Sequence, residues 1–219
     1  MLLHLPLSAM VNFAPWPTQL VQASAGLAHI LEEGYDPANI TLAGDSVGGL
    51  QVVYLLGHLL HPHPDAEPIR LQKPLAGAVA LSAWLSFSMD TDSFKHFGPK
   101  DVVAPLVGLK QWSKLVMETR TRSDDGNYLE PAHAPASWWT GLESVAGNVL
   151  LTAGGEEGMI DDIVATQKKM EEGAGKGMKL EMYAQEGVPH NEPFVDFAVG
   201  DEPGATNLRV LSWIKDVYA

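Results

Sequence analysis

The residues Gly44-Asp45-Ser46-Val47-Gly48-Gly49 set a serine among glycines, directly after the apolar run ITLAG and directly before LQVVYLL. A serine hydroxyl is a weak nucleophile at neutral pH. It needs a base to take its proton, an acid to orient that base, and donors for the oxyanion that forms when it attacks a carbonyl. A G-x-S-x-G pattern supplies the first part of that machinery when a strand enters it and a helix leaves it. The turn is too sharp for neighbouring side chains, and the serine is presented at its apex. As a bare pattern it equally describes an ordinary tight turn, so its partners decide. After NVLLTAGG come Glu156, Glu157, Asp161 and Asp162, and after MKLEMYAQ comes EGVPHNEPF with His190 in a Gly/Pro loop. Serine, acid and histidine thus follow one another at the ends of three separate apolar runs. Glu157 is the preferred acid because it lies sooner after its run, and Asp161 is the reserve.

The elements that must position these groups are legible in the periodicity. Residues 1–12 read as a strand, and the loop FAPWP blocks helix as far as Pro17. From Thr18 the residues Leu20, Ala23, Leu27, Ile30 and Leu31 recur at helical spacing, and Gly34 stops the run. Strands are expected at 40–44, around 73–87, at 148–155 and at 178–185, with helices after the elbow, over DDIVATQKKMEEG, and from about Thr206 to Tyr218. Uncharged strands alternating with amphipathic helices predict a parallel sheet covered on both faces, in which chemistry sits at the C-terminal strand ends. Residues 88–140 differ in texture, being rich in Asp, Ser, His, Pro and Trp, with one helix expected near 102–118 on Val102, Leu106, Leu109, Trp112 and Val116. This stretch reads as an insertion, either a lid or a surface decoration. The 219 residues are expected to form one domain.

Composition narrows the partners. A formal net charge of −13, with 27 acidic against 14 basic residues, argues against nucleic acid and anionic membrane surfaces. The absence of cysteine rules out disulfides, thiolate catalysis and cysteine-based zinc sites. The apolar opening MLLHLPLSAM lacks the basic flank of a signal peptide, so a cytoplasmic location is favoured, and no apolar run reaches the roughly 18 residues of a membrane helix. His58, His61 and His63 resemble a metal cluster, with His58 and His61 on one helix face, but no carboxylate completes the set and no metal is expected. Trp138 and Trp139 are expected to pack in the core or lid.

GDSVGG, LSAWLSF, the Ser-Trp-Trp at 137–139 and GGEEGMIDDI together resemble the hormone-sensitive-lipase-like branch of the α/β-hydrolases, especially its fungal esterase-like members. The resemblance implies an α/β fold, a three-layer sandwich around a mostly parallel sheet. It also implies that Ser46 is the nucleophile, His190 the general base, Glu157 or Asp161 the acid, and the Val47 N–H an oxyanion donor, with Gly44, Asp45, Gly48 and Gly49 forming the elbow. No cofactor is implied, and the substrate is expected to be a small, largely apolar carboxylic ester.

The branch also carries an HGGG-type loop ahead of the elbow, and this sequence has none, so the first strands of the fold are expected to be lacking. An open sheet edge would follow, and a homodimer is expected to cover it. Three readings therefore stand: a serine ester hydrolase, an inactive ligand-binding homologue, and a non-hydrolytic cyclase, isomerase or lyase using His190 as a general base.

Overall fold

The computed structural model describes residues 15–103, 106–120, 122–123 and 125–219. The strand expected over residues 1–12 lies outside these. Among the described residues four strands form one all-parallel sheet in the order β1-β2-β3-β4: β1 is Thr41–Asp45, β2 Gly77–Leu81, β3 Asn148–Gly154 and β4 Lys179–Gln185. Thr41 pairs with Gly77, Ala78 with Val149, and Asn148 with Lys179. The expected parallel sheet between helical layers is present.

The strands alternate their side chains between two faces. Ala78, Ala80, Val149, Leu151 and Ala153 look into the larger core, with helices α2 (Val47–Leu60) and α6 (Ile160–Gly173) above them. Val79 and Leu150 look the other way, onto Trp213 of the last helix, α8 (Ala205–Val217). Gly77 has to be glycine for this second layer, because a Cβ there would stand 2.6 Å from the Trp213 ring. Helix α1 (Thr18–Glu32) buries Ala23, Leu27 and Ile30 against Leu55 of α2. It begins immediately after Pro17, as the proline spacing predicts.

Among the described residues between β2 and β3 run the helices α3 (Asp92–His96), α4 (Val107–Glu118) and α5 (Asp125–Leu129), followed by short 3₁₀ turns. The helix expected over 102–118 begins only at Val107, beyond Pro105, a residue type tolerated at a helix start but not inside one. Val102 accordingly stands exposed, while Leu109 and Val116 are buried. Helix α7 (Glu192–Val199), absent from the sequence expectation, follows the histidine loop, with Pro193 in its first turn. Trp139 is fully buried, and Trp138 stacks on His61 with ring centroids 4.1 Å apart.

The three clustered histidines each have their own partner. Helix α2 ends at Leu60, so His61 lies beyond the helix rather than on a face shared with His58. Its Nε2 is 2.8 Å from the Trp138 carbonyl. His58 Nδ1 accepts the His63 N–H, leaving Nε2–H for the Glu67 carbonyl. His63 Nε2 stands 3.0 Å from Asp125 Oδ1, both side chains being buried. A carboxylate does reach the group, then, but as a hydrogen-bond partner. Among the described residues no group of three or more His, Cys, Asp or Glu could hold a metal ion, and no helix is long and apolar enough to cross a membrane.

Candidate active site

Ser46 joins β1 to α2. Its backbone has φ 51° and ψ −114°, a left-handed conformation uncommon for a residue with a side chain and costing on the order of 1–3 kcal/mol. The surroundings hold it there. The Ser46 N–H donates to the Leu81 carbonyl at 2.8 Å, and its own carbonyl accepts from Leu50 at 3.1 Å and Trp84 at 3.1 Å. Ser46 occupies the N-cap position of α2, yet its hydroxyl makes no capping bond and is left for other work. The glycines differ in necessity. A Cβ on Gly44 would stand 2.3 Å from the Gly48 carbonyl oxygen, and one on Gly49 would stand 2.7 Å from the Ala83 Cβ. A Cβ on Gly48 would meet only an Asp45 carboxylate oxygen at 3.9 Å. Close packing therefore explains Gly44 and Gly49 but not Gly48.

The other two strand ends converge on this serine. His190 Nε2 lies 3.0 Å from Ser46 Oγ, and His190 Nδ1 lies 3.4 Å from Glu157 Oε2. The second contact is not a formed hydrogen bond, and contacts of this kind often tighten only when substrate binds. Glu157 is wholly buried and His190 nearly so, at 0% and 3% exposure. Glu157 Oε2 also accepts from the Gly154 N–H at 3.2 Å, whereas its Oε1 has no hydrogen-bond partner among the described residues. With the proton on Nδ1 facing Glu157, Nε2 is free to accept the serine proton. Burial keeps water from competing for the His190–Glu157 contact.

Two glycines let the acid turn approach the histidine loop. A Cβ on Gly154 would stand 2.3 Å from the Pro189 carbonyl oxygen, and one on Gly155 would stand 2.8 Å from the Gln185 carbonyl oxygen. With both positions bare, Gly155 N–H reaches the Gln185 carbonyl at 2.6 Å and Glu156 N–H reaches the Val188 carbonyl at 3.0 Å. The Gly-Gly ending of NVLLTAGG is thus what allows Glu157 to sit beside His190.

Asp161, the reserve acid, points elsewhere. Its Oδ2 accepts the Ser93 N–H of α3 at 2.9 Å. Asp162, its neighbour, is buried, and that burial, with the nearby charges of Asp161 and Glu130 and against the pull of Lys169, raises its pKa to about 7. Val47 heads α2, so its N–H belongs to the first turn, which has no intrahelical acceptor, and the positive end of the helix dipole adds to it.

Several supporting residues were not singled out from the sequence. Asn191, with φ 56°, donates from its side-chain amide to Asp45 Oδ2 at 3.0 Å, while its N–H donates to Ser82 Oγ at 3.2 Å. The aspartate of the elbow therefore anchors the residue after His190. Asp101, in the segment following α3, accepts the His190 N–H at 2.9 Å.

A sequence model described as "alpha/beta hydrolase fold" matches residues 13–193. No curated protein matches the chain. Among solved structures, an esterase/lipase from an uncultured bacterium superposes with a TM-score of 0.71 at 19% identity, over 93% of this chain and 61% of that one. An esterase from the bacterial hormone-sensitive lipase family gives 0.63 at 23% identity, over 81% of this chain and 53% of that one. A hormone-sensitive-lipase homologue from a metagenome library gives 0.72 at 18% identity, over 94% and 64%. The chain spans less than two thirds of the length of each of these neighbours.

Proposed function

Because this chain belongs to the α/β-hydrolase fold family, we propose that it hydrolyses a carboxylic ester through Ser46, His190 and Glu157. The observation that carries this reading is the line from half-buried Ser46 Oγ through buried His190 to buried Glu157, with contacts of 3.0 and 3.4 Å. Structural neighbours that are esterases support the reaction class. In the first half-reaction His190 Nε2 takes the hydroxyl proton as Ser46 Oγ attacks the ester carbonyl. The tetrahedral oxyanion is met by the Val47 N–H and by further donors. Collapse expels the alcohol, which leaves with the proton returned by His190, and an acyl-serine remains. Water then attacks with the same base, releasing the acid and restoring the serine. Glu157 holds the ring, and its carboxylate balances the imidazolium charge.

The substrate is a small, largely apolar ester. A surface with net charge −13 disfavours anions, and the segments on both sides of Ser46 carry no charge beyond Asp45. No cofactor enters the scheme. A homodimer covering an open sheet edge belongs to the proposal as well. A monomer by light scattering at micromolar concentration excludes it.

A second reading rests on the same geometry, because His190 Nε2, 3.0 Å from Ser46 Oγ, can serve a bound substrate as a base without acyl transfer. In that reading His190 is a general base toward an acidic C–H or O–H, and Ser46 is spectator, or the site only binds. Release of p-nitrophenol from short-chain acyl esters by the wild type and by Ser46→Ala separates the cases. Hydrolysis abolished in the variant supports the ester hydrolase, and turnover that survives it overturns that reading.

A further inference from the structure

Asp101 is buried, with 5% of its surface exposed, and no basic side chain pairs with it among the described residues. A carboxylate in that position has to be held by hydrogen bonds. All three that it receives come from backbone. Oδ1 accepts the Val102 N–H at 2.8 Å and the His190 N–H at 2.9 Å, while Oδ2 accepts the Gly158 N–H at 3.0 Å. His190 and Gly158 lie on the two loops that must stay in register. The first is the residue that faces Ser46, and the second directly follows Glu157.

We infer that Asp101 is a positioning residue for the reaction proposed above, on which this inference rests. Alongside the Gly155–Gln185 and Glu156–Val188 backbone bonds, this carboxylate ties the acid turn to His190 itself and helps set the separation at which His190 meets Ser46 and Glu157. Chemistry favours an aspartate here. Both oxygens accept and neither donates, so neighbouring N–H groups from different loops can be held by one rigid, short side chain, and charge strengthens each bond. An asparagine would turn an NH₂ toward one of the same N–H groups.

A second set of contacts braces the acid turn without reaching His190. Ser93 Oγ donates to the Gly158 carbonyl at 2.7 Å, and the Phe94 ring packs where a Gly158 Cβ would stand 2.9 Å away. The stretch from α3 to Asp101 thus holds the acid turn at several points, but only Asp101 extends the hold to the base. This contrast makes the inference testable against the simpler view that Asp101 merely closes a loop.

The experiment compares the second-order rate of fluorophosphonate labelling, per folded molecule, in wild type, Asp101→Ala, Asp101→Asn and Ser93→Ala, together with hydrogen exchange at the Val102, Gly158 and His190 amides. The expected result is a roughly 10- to 100-fold slower labelling in Asp101→Ala, the scale of effect that a displacement near 1 Å produces, and a smaller loss in Asp101→Asn. On ester substrate the loss appears in kcat with KM little changed. The His190 and Gly158 amides lose protection in Asp101→Ala, while Ser93→Ala unfolds more easily but labels within about twofold of wild type. Labelling of Asp101→Ala at the wild-type rate overturns the inference, as does an equal slowing in Ser93→Ala. If Asp101→Ala does not fold, wild-type rate in Asp101→Asn also overturns it. Absence of labelling in the wild type, with amide protection still lost in the Asp101 variants, removes the hydrolase reading and leaves the clamp on His190 standing.

Discussion

Replacing Glu157 with glutamine isolates what the buried acid contributes. The substitution keeps the shape, and an amide oxygen can still accept the Gly154 N–H that Oε2 now receives at 3.2 Å. What disappears is the negative charge beside the ring. When His190 becomes an imidazolium in the transition state, two unit charges 3.4 Å apart attract by roughly 5 kcal/mol at an effective dielectric near 20. At about 1.4 kcal/mol per tenfold, this corresponds to between three and four orders of magnitude in rate. Ground-state binding of a neutral ester does not use that charge, so the loss falls on kcat and leaves KM nearly unchanged. The assay is steady-state hydrolysis of a p-nitrophenyl ester, with Asp161→Asn run alongside. Asp161 bonds to Ser93 rather than to the histidine, so its variant is expected to lose about 1 kcal/mol of stability and to keep a rate within about twofold. A loss under about tenfold in Glu157→Gln, or an equal loss in Asp161→Asn, refutes the assignment of the acid.

Two further predictions rest on separate observations. Gly49→Ala drives a Cβ to 2.7 Å from the Ala83 Cβ and is expected to cost about 1–3 kcal/mol in urea unfolding. Gly48→Ala, open to 3.9 Å, is expected to be neutral or to stabilise by up to about 1 kcal/mol through helix propensity, and the reverse order refutes the packing argument. Asp162 has a folded-state pKa raised from 3.8 to about 7 by burial and by the charges of Asp161 and Glu130. The folded state therefore binds the proton more tightly than the unfolded chain, and the associated stability is complete below about pH 4 and is lost as pH rises through about 7. Asp162→Asn, which cannot ionise, is expected to unfold with a free energy on the order of 2 kcal/mol above wild type at about pH 8 and close to wild type at about pH 4. A difference independent of pH contradicts it.

Much of the fold was legible because its cues are local. ITLAG, GAVAL and NVLLTAG lack internal charge, and the structure places strands at Thr41–Asp45, Gly77–Leu81 and Asn148–Gly154, the last two largely buried as strands covered on both faces are. Ser46, His190 and Glu157 were legible because each follows its own strand and parallel pairing brings such ends together. The remainder depended on long-range contacts that no spacing encodes. Asp101 meets His190 across 89 positions by accepting a backbone N–H, a bond that leaves no trace in the partner's residue type. Helix α7 was missed because PHNEPF reads as loop, although proline is well tolerated in a first helical turn. The distinction between Gly48 and Gly49 was equally hidden. It depends on Ala83, which β2 delivers to the elbow from a distant part of the chain.

The most direct test of the central claim is to treat the folded protein with a fluorophosphonate probe and map the adduct by mass spectrometry, in wild type and in His190→Ala. The account predicts one stoichiometric adduct, on Ser46, which sits 3.0 Å from His190 Nε2, and its disappearance in the variant. A folded wild type that carries no adduct, or an adduct on Ser46 that persists without His190, would contradict it.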